Sequence, residues 1–249
     1  MLRFFATTLC IVLSHMYSVW AQTDTIDVKN KKLLIRQLKP TKRQYMVYLK
    51  NPQKNNLITN VSLWTREVSF QKDMVVISQQ WSGQDTLTNR KLWSLCKKDN
   101  FEPVYHYTYM PKMGVAAFNF GEKQITGADS VANNTKKDFQ VALKHPTFNW
   151  ELDLETFEML PLGIGKTFII DFYHPGGSQT PAYYTYKVTG SEKLEVSTGK
   201  ETDCWMLRID YNADSYATFW ITKQNPEVLK MEEFYKGIYR YKVKLATSI

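Results

Sequence analysis

Strict alternation at the end of the chain constrains its fold most. Tyr239, Tyr241, Val243 and Leu245 alternate with Arg240, Lys242 and Lys244, the period of a half-buried β-strand whose side chains point to opposite faces in turn. Lys236-Gly237 just upstream forms a tight hairpin turn, with Leu229 to Tyr235 as the partner strand. The period returns at Trp205, Leu207, Ile209 and Tyr211, followed by the turn Asn212-Ala213-Asp214 and a strand over Tyr216 to Ile221. Together these segments predict an antiparallel meander.

Upstream, aromatic and β-branched runs separated by Gly, Pro, Asn and Asp predict strands at residues 45–49, 60–70, 74–81, 104–110, 115–120, 167–173, 183–188 and 193–197. Connections are short and none has the length of a crossover helix, so the sheet is expected to be antiparallel. One helix interrupts the series: Trp150, Leu154, Phe157 and Leu160 recur at helical spacing, and Pro161 and Gly163 stop it. Trp150, Leu152 and Leu154 also fit a strand period, so both readings stand for that stretch.

Several strands, such as Tyr183-Tyr184-Thr185-Tyr186 and Ala217 to Ile221, are apolar on both faces. That pattern predicts a mainly β domain, a single curved antiparallel sheet forming a half-open barrel around one or two short helices. A closed barrel is the competitor. Arg66, Lys187 and Arg208 fall mid-strand and argue against a lipid-facing band.

Residues 1–21 read as a cleaved signal peptide. Arg3 supplies the n-region charge, and an apolar run from Phe4 to Leu13 is too short to span a bilayer. Val19 and Ala21 precede the expected cleavage between Ala21 and Gln22. The expected product is an exported protein, periplasmic or secreted and soluble after cleavage. Residues 22–43 read as a basic arm and 44–249 as one domain. The chain carries 32 basic and 24 acidic side chains, and Lys29, Lys31, Lys32, Arg36, Lys39, Lys42 and Arg43 occur with no acidic residue among them. Such an arm either contacts an anionic envelope surface or partner protein, or is a solvated connection. No nucleic-acid recognition motif occurs. Cys96 and Cys204 remain after cleavage, either as a disulfide or as free buried thiols.

The segments Phe148-Asn149-Trp150, Leu160-Pro161-Leu162-Gly163, Tyr186 to Glu192, Gly199 with Cys204-Trp205-Met206-Leu207, and Phe219 to Lys223 follow one another in a recognisable order. In this order and spacing, the chain over residues 145–245 resembles an uncharacterised family of exported bacterial proteins. In that family a Leu-Pro-Leu-x-x-Gly element follows the helix, a Val-x-Gly-x-Glu turn joins two strands, and a Trp-Ile segment precedes the closing hairpin. The family's fold is similar to the periplasmic lipoprotein carriers. The resemblance thus implies a half-open barrel with helices plugging an apolar concavity, and it brings no catalytic residue.

Chemistry-bearing motifs are few. His106, His145 and His174 show no metal-ligand spacing, no Gly-x-Ser-x-Gly occurs, and Gly163-x-Gly165-Lys166 lacks the rest of a phosphate loop. No cofactor is expected. Asp153, Glu155 and Glu158 on the helix read first as its solvated face, with acid–base work as the alternative. Seven Trp, 15 Tyr and 13 Phe suit a sheet core or a concave ligand site. If there is a cavity, Trp81, Tyr184, Trp220 and Tyr241 are expected to line it, with Trp150 and Phe157 as its plug. The function expected is non-catalytic binding of an apolar or amphipathic ligand, a lipid or lipidated partner. A scaffold module of the envelope and an envelope hydrolase are the alternatives.

Overall fold

The computed structural model describes residues 22–197 and 199–246; the signal peptide read at residues 1–21, and Ala21 with it, lies outside the described residues. The chain opens with β1 (Thr23–Ile26) and then runs as a meander through β2 (Thr41–Asn51), β3 (Leu57–Gln71), β4 (Met74–Gly83), β5 (Arg90–Lys97), β6 (Pro103–Met110), β7 (Gly114–Phe120), β8 (Gln124–Gly127) and β9 (Gln140–Ala142). A two-residue strand, β10 (Phe148–Asn149), leads through a single 3-10 turn into α1 (Asp153–Glu158). A second meander follows: β11 (Thr167–Tyr173), β12 (Ala182–Ser197), β13 (Lys200–Asn212), β14 (Ser215–Thr222), β15 (Val228–Tyr235) and β16 (Ile238–Lys244).

The last strand closes the gap between the two meanders. β16 pairs antiparallel with β2, so one curved sheet runs from β1 and β11 through β16 and β2 to β9 without closing into a barrel. The β15–β16 turn has the form expected from Lys236-Gly237: both residues have positive φ, 49° and 80°. Two left-handed residues in succession give the turn whose twist matches a hairpin.

Three local expectations change. The sheet is not wholly antiparallel, because β1 and β10 both add to β11 in parallel, one after the other along its length. Val188-Thr189-Gly190-Ser191-Glu192 does not join two strands; it lies inside the single strand β12, where the register with β13 shifts between Val188 and Gly190. A bulge there bends a long strand without ending it. Finally, residues 22–43 are no free arm. Ile26, Val28, Leu33 and Leu38 are buried in the main core, and the Leu34 N–H donates to the Met159 carbonyl at 2.8 Å.

The apolar residues of that segment explain why it docks: burying four aliphatic side chains outweighs solvating the lysines between them. Several of its charges are then neutralised locally. Lys32 pairs with Asp24, Lys31 with Asp99, Lys42 with Glu67, and Arg43 with Glu158 and Glu227. Lys29, Arg36 and Lys39 stay exposed on the docked segment.

The concave face carries the core. Tyr45, Trp64, Val68, Ile77, Phe168, Ile170, Leu207, Phe219 and Ile221 point inward, and Leu154, Phe157, Met159 and Leu160 of the helical segment fill the space they enclose. No described helix is long and apolar enough to cross a membrane.

Candidate functional site

The helix that fills the concavity is buried on every side. A short amphipathic helix would normally leave its acidic face in water, yet all six residues of α1 are buried, Asp153, Glu155 and Glu158 included. The solvated-face reading of these carboxylates is therefore corrected. They face strands instead of solvent, because the sheet supplies the cations that make burial tolerable.

Those cations come from inward-facing positions. Trp64, Arg66 and Val68 share the concave face of β3, and Arg66 is 3% exposed. Its guanidinium forks onto Glu155, with Nε donating to Oε1 at 3.0 Å and Nη2 to Oε2, while Nη1 donates to Gln79 Oε1 at 3.1 Å. Arg43 of β2 pairs with Glu158, which also accepts the Val228 N–H at 2.9 Å. The Glu155 and Glu158 carboxylates thus pin the helix to β2, β3 and β15.

Asn149 orders the approach to the helix. Its Oδ1 accepts the Glu151 N–H at 2.9 Å, which turns its Nδ2 towards His106 Nδ1 at 3.2 Å. An amide nitrogen only donates, so Nδ1 is the acceptor and the imidazole is neutral; Ser94 Oγ lies 2.8 Å from the same nitrogen. Burial lowers His106 to about 4, in agreement with this geometry. The Ser94–His106 contact is sealed in the interior, both residues 1% exposed, which rules it out as a nucleophile pair open to substrate.

Beyond the end of α1 the concavity opens. A cleft of about 680 Å³ lies between Trp64, Arg66, Trp81 and Arg90 on one side and Trp150, Glu151, Asp153 and His174 on the other, with Arg240 and Lys242 of β16 completing it. A second space of about 380 Å³ is walled by Tyr184, Tyr211, Phe219 and Met231. The two spaces share Trp150, Asp153, His174, Arg240 and Lys242 as lining residues.

One wall is an aromatic and cationic ladder. Trp64 and Trp81 are direct partners across β3 and β4, and their rings stack at 4.5 Å. Arg66 and Lys242 each lie 4.5 Å from the Trp64 centroid, and Arg90 lies 5.4 Å from that of Trp81. The opposite wall is Trp150, stacked on His174 at 4.2 Å and set edge-on to Tyr184 at 4.6 Å.

Most charges of the cleft have partners. Arg90 is bidentate to Glu151 at 3.1 and 3.4 Å, Arg240 meets Glu233 at 2.6 Å, and Arg66 is held by Glu155. Among the described residues Lys242 and Asp153 alone of the buried cleft charges have no ion pair, although they are 9% and 7% exposed. Burial lowers Lys242 to about 8 despite the pull of Asp153, and burial raises Asp153 despite Lys242 and Arg66. His174 is lowered by burial against the nearby Glu151 and Asp153.

The expected ligand residues divide by face. Trp81 and Trp150 line the cleft, Tyr184 lines the second space beside it, and Phe157 plugs the core against Tyr186, Phe172 and Phe219. Trp220 and Tyr241 do not belong to it. On β14 the core takes Ala217, Phe219 and Ile221, so Trp220 points outward, where its Nε1 donates to Glu192 at 2.6 Å. On β16 the inward residues are Arg240 and Lys242, and Tyr241 stacks on Tyr48 outside, with ring centroids 5.1 Å apart.

The residues missed from sequence are the cations Arg66, Arg90, Arg240 and Lys242, whereas Asp153 was named there with the acid–base alternative. Only Arg66 left a trace, as it keeps the inward period of Trp64 and Val68. Cys96 and Cys204 are free thiols. Cys96 faces the core while Cys204 alternates to the outer face, and six strands separate β5 from β13 in the sheet order, so the disulfide considered for them does not form.

Among solved structures, a proposed lipoprotein from Parabacteroides distasonis matches with 10% sequence identity and a TM-score of 0.29, over 86% of this chain and 97% of that one. No curated protein matches the chain at a significant level. The family model described as "Protein of unknown function (DUF3108)" matches residues 44–244. That span takes in both meanders, α1 and the whole wall of the cleft, and the chain belongs to the DUF3108 family.

Proposed function

We propose that this is an exported, envelope-located binding protein that takes up an amphipathic ligand by its polar head, in the cleft between α1 and strands β3, β4 and β16. The observation that carries the reading is the pairing pattern: Lys242 and Asp153 are buried, unpaired and of opposite charge, at the junction of two spaces walled by Trp64, Trp81 and Trp150. Buried charges without partners are costly, and a site that retains them gains when a ligand supplies the partner.

The same geometry limits the apolar part of the ligand. Phe157, Leu154 and Leu160 already occupy the middle of the concavity, so a long acyl chain has no tunnel there. The space beside Tyr184, Phe219 and Met231 accepts a short apolar portion next to the head. Recognition by a few convergent polar groups on an aromatic wall is the general pattern of small-molecule sites.

Native mass spectrometry of the protein purified from its own envelope tests the reading. It predicts a co-purifying amphiphile in the natural chain that is lost on Trp81→Ala. A bare natural chain, with no mass added and none extracted into organic solvent, overturns it.

A hydrolase reading has one observation in its favour: Glu151, Asp153 and His174 cluster in the cleft, and Glu151 is lowered while Asp153 is raised. Carboxyl groups pushed apart in this way are a feature of acid–base pairs. Against it, the Glu151 carboxylate is held by both terminal nitrogens of Arg90 and so has little freedom to take a proton. A broad screen of glycosidase and esterase substrates that gave turnover lost on Asp153→Asn would favour this reading over binding.

A further inference from the structure

We infer that the head group bound in the cleft is dipolar, an ammonium and a phosphate on a short linker, with the phosphate at Lys242 and the ammonium at Asp153. The inference rests on the binding reading above and names the ligand class for that same site.

Charge balance carries the argument. Arg66, Arg90 and Arg240 each hold a carboxylate, so among the described buried residues of the cleft Lys242 is the one cation left without an anion and Asp153 the one carboxylate left without a cation. The two pull on each other across the cleft but form no ion pair within 4.0 Å, and they line the same two spaces. A purely anionic head would relieve Lys242 and bring a second negative charge towards Asp153. A purely cationic head would do the reverse at Lys242. A neutral polyol would satisfy hydrogen bonds and leave both charges unpaired in a site where screening by water is weak. A dipolar head relieves both.

The surrounding groups agree with that orientation. Arg240, held by Glu233, lines both spaces beside Lys242, so Lys242 is the cation on β16 left to meet the phosphate. Asp153 shares both spaces with Trp150, whose indole offers an aromatic surface to an ammonium group. The shared chemistry belongs equally to a phospholipid head group and to a free amino-alkyl phosphate.

The test uses the mature chain and four probes: free O-phosphoethanolamine, and vesicles containing phosphatidylethanolamine, phosphatidylglycerol or a neutral glycolipid. Binding is followed by tryptophan fluorescence. The expected result is preference for the ethanolamine-bearing probes, lost by about tenfold or more in Lys242→Gln. In Asp153→Asn the preference over phosphatidylglycerol should vanish. Binding to ethanolamine vesicles without the free compound identifies the lipid as source; binding to both identifies the head group alone as sufficient. Equal binding of phosphatidylglycerol or glycolipid, lost on Trp81→Ala, overturns the dipolar assignment and leaves the binding site standing. No binding to any probe, together with a bare protein from the envelope, overturns both. Thermal melting reports folding of each variant, and Lys242→Met replaces any variant that fails to fold, read by the same preference.

Discussion

Arg43 and Arg66 stand directly opposite each other across the β2–β3 ladder, both on its concave face. Two like charges at a cross-strand pair destabilise a sheet. Here Glu158 and Glu155 of α1 are set against them, one carboxylate for each guanidinium. The helix is therefore an electrostatic necessity for the sheet as well as an apolar plug, and the sheet is what permits a six-residue helix to exist at all.

This relationship predicts asymmetric costs. Glu155→Ala leaves Arg66 buried, unpaired and facing Arg43, and should lower the free energy of unfolding by about 3–5 kcal/mol in urea titration. Replacing Arg66 and Glu155 together by Met and Leu should recover most of that loss, since two apolar groups of similar volume remove both desolvation costs. Two losses that simply added would contradict the pairing.

His106 predicts an acid limb. Its imidazole is lowered to about 4 by burial, so between the unfolded value of about 6.5 and 4 the unfolded chain binds a proton that the folded chain does not. The stability this group confers is complete above pH 6.5 and falls as the pH drops through that window, by about 3 kcal/mol in all. His106→Gln should remove this slope from the pH dependence of urea unfolding, whatever it does to stability at pH 7.

Lys242 predicts a basic limb for binding. The ammonium faces Asp153 of α1, Arg66 of β3, Glu233 of β15 and Arg240 of its own strand, and burial brings it to about 8. Anion binding needs its proton. Affinity for an anionic head should hold below pH 8 and decline above it, whereas in Lys242→Gln the profile should be flat through that range.

The cysteines predict silence. Burial raises both thiols, Cys96 well above its usual value and Cys204 to about 11, so neither presents a thiolate at neutral pH. Alkylation followed by mass analysis should leave Cys96 and Cys204 unmodified in the folded chain and modify both on unfolding, with no reductant required. A need for reductant would show a disulfide.

The meanders were legible because period-2 alternation is local: β11 matches the predicted 167–173 and the β15–β16 turn its dipeptide. The facing of strands was less so. In β16 the tyrosines looked like the inner set, but the face towards α1 takes Arg240 and Lys242, a choice set by packing against elements far away in sequence. A one-residue change of face moves every side chain, so Tyr241 went outside with it. The acidic helix was misread for the same reason, since its partners Arg43 and Arg66 sit on strands about a hundred residues earlier. β1 was hidden because four residues joining β11 in parallel leave no hairpin signal.

The indole N–H signals test the central claim most directly, because tryptophans mark both faces of the sheet. In heteronuclear NMR of residues 22–249 titrated with ethanolamine-phospholipid micelles, the signals of Trp64, Trp81 and Trp150 should move together with saturation while that of Trp220 stays fixed. Movement of Trp220 with the three cleft signals unchanged would place binding on the outer face and contradict the account.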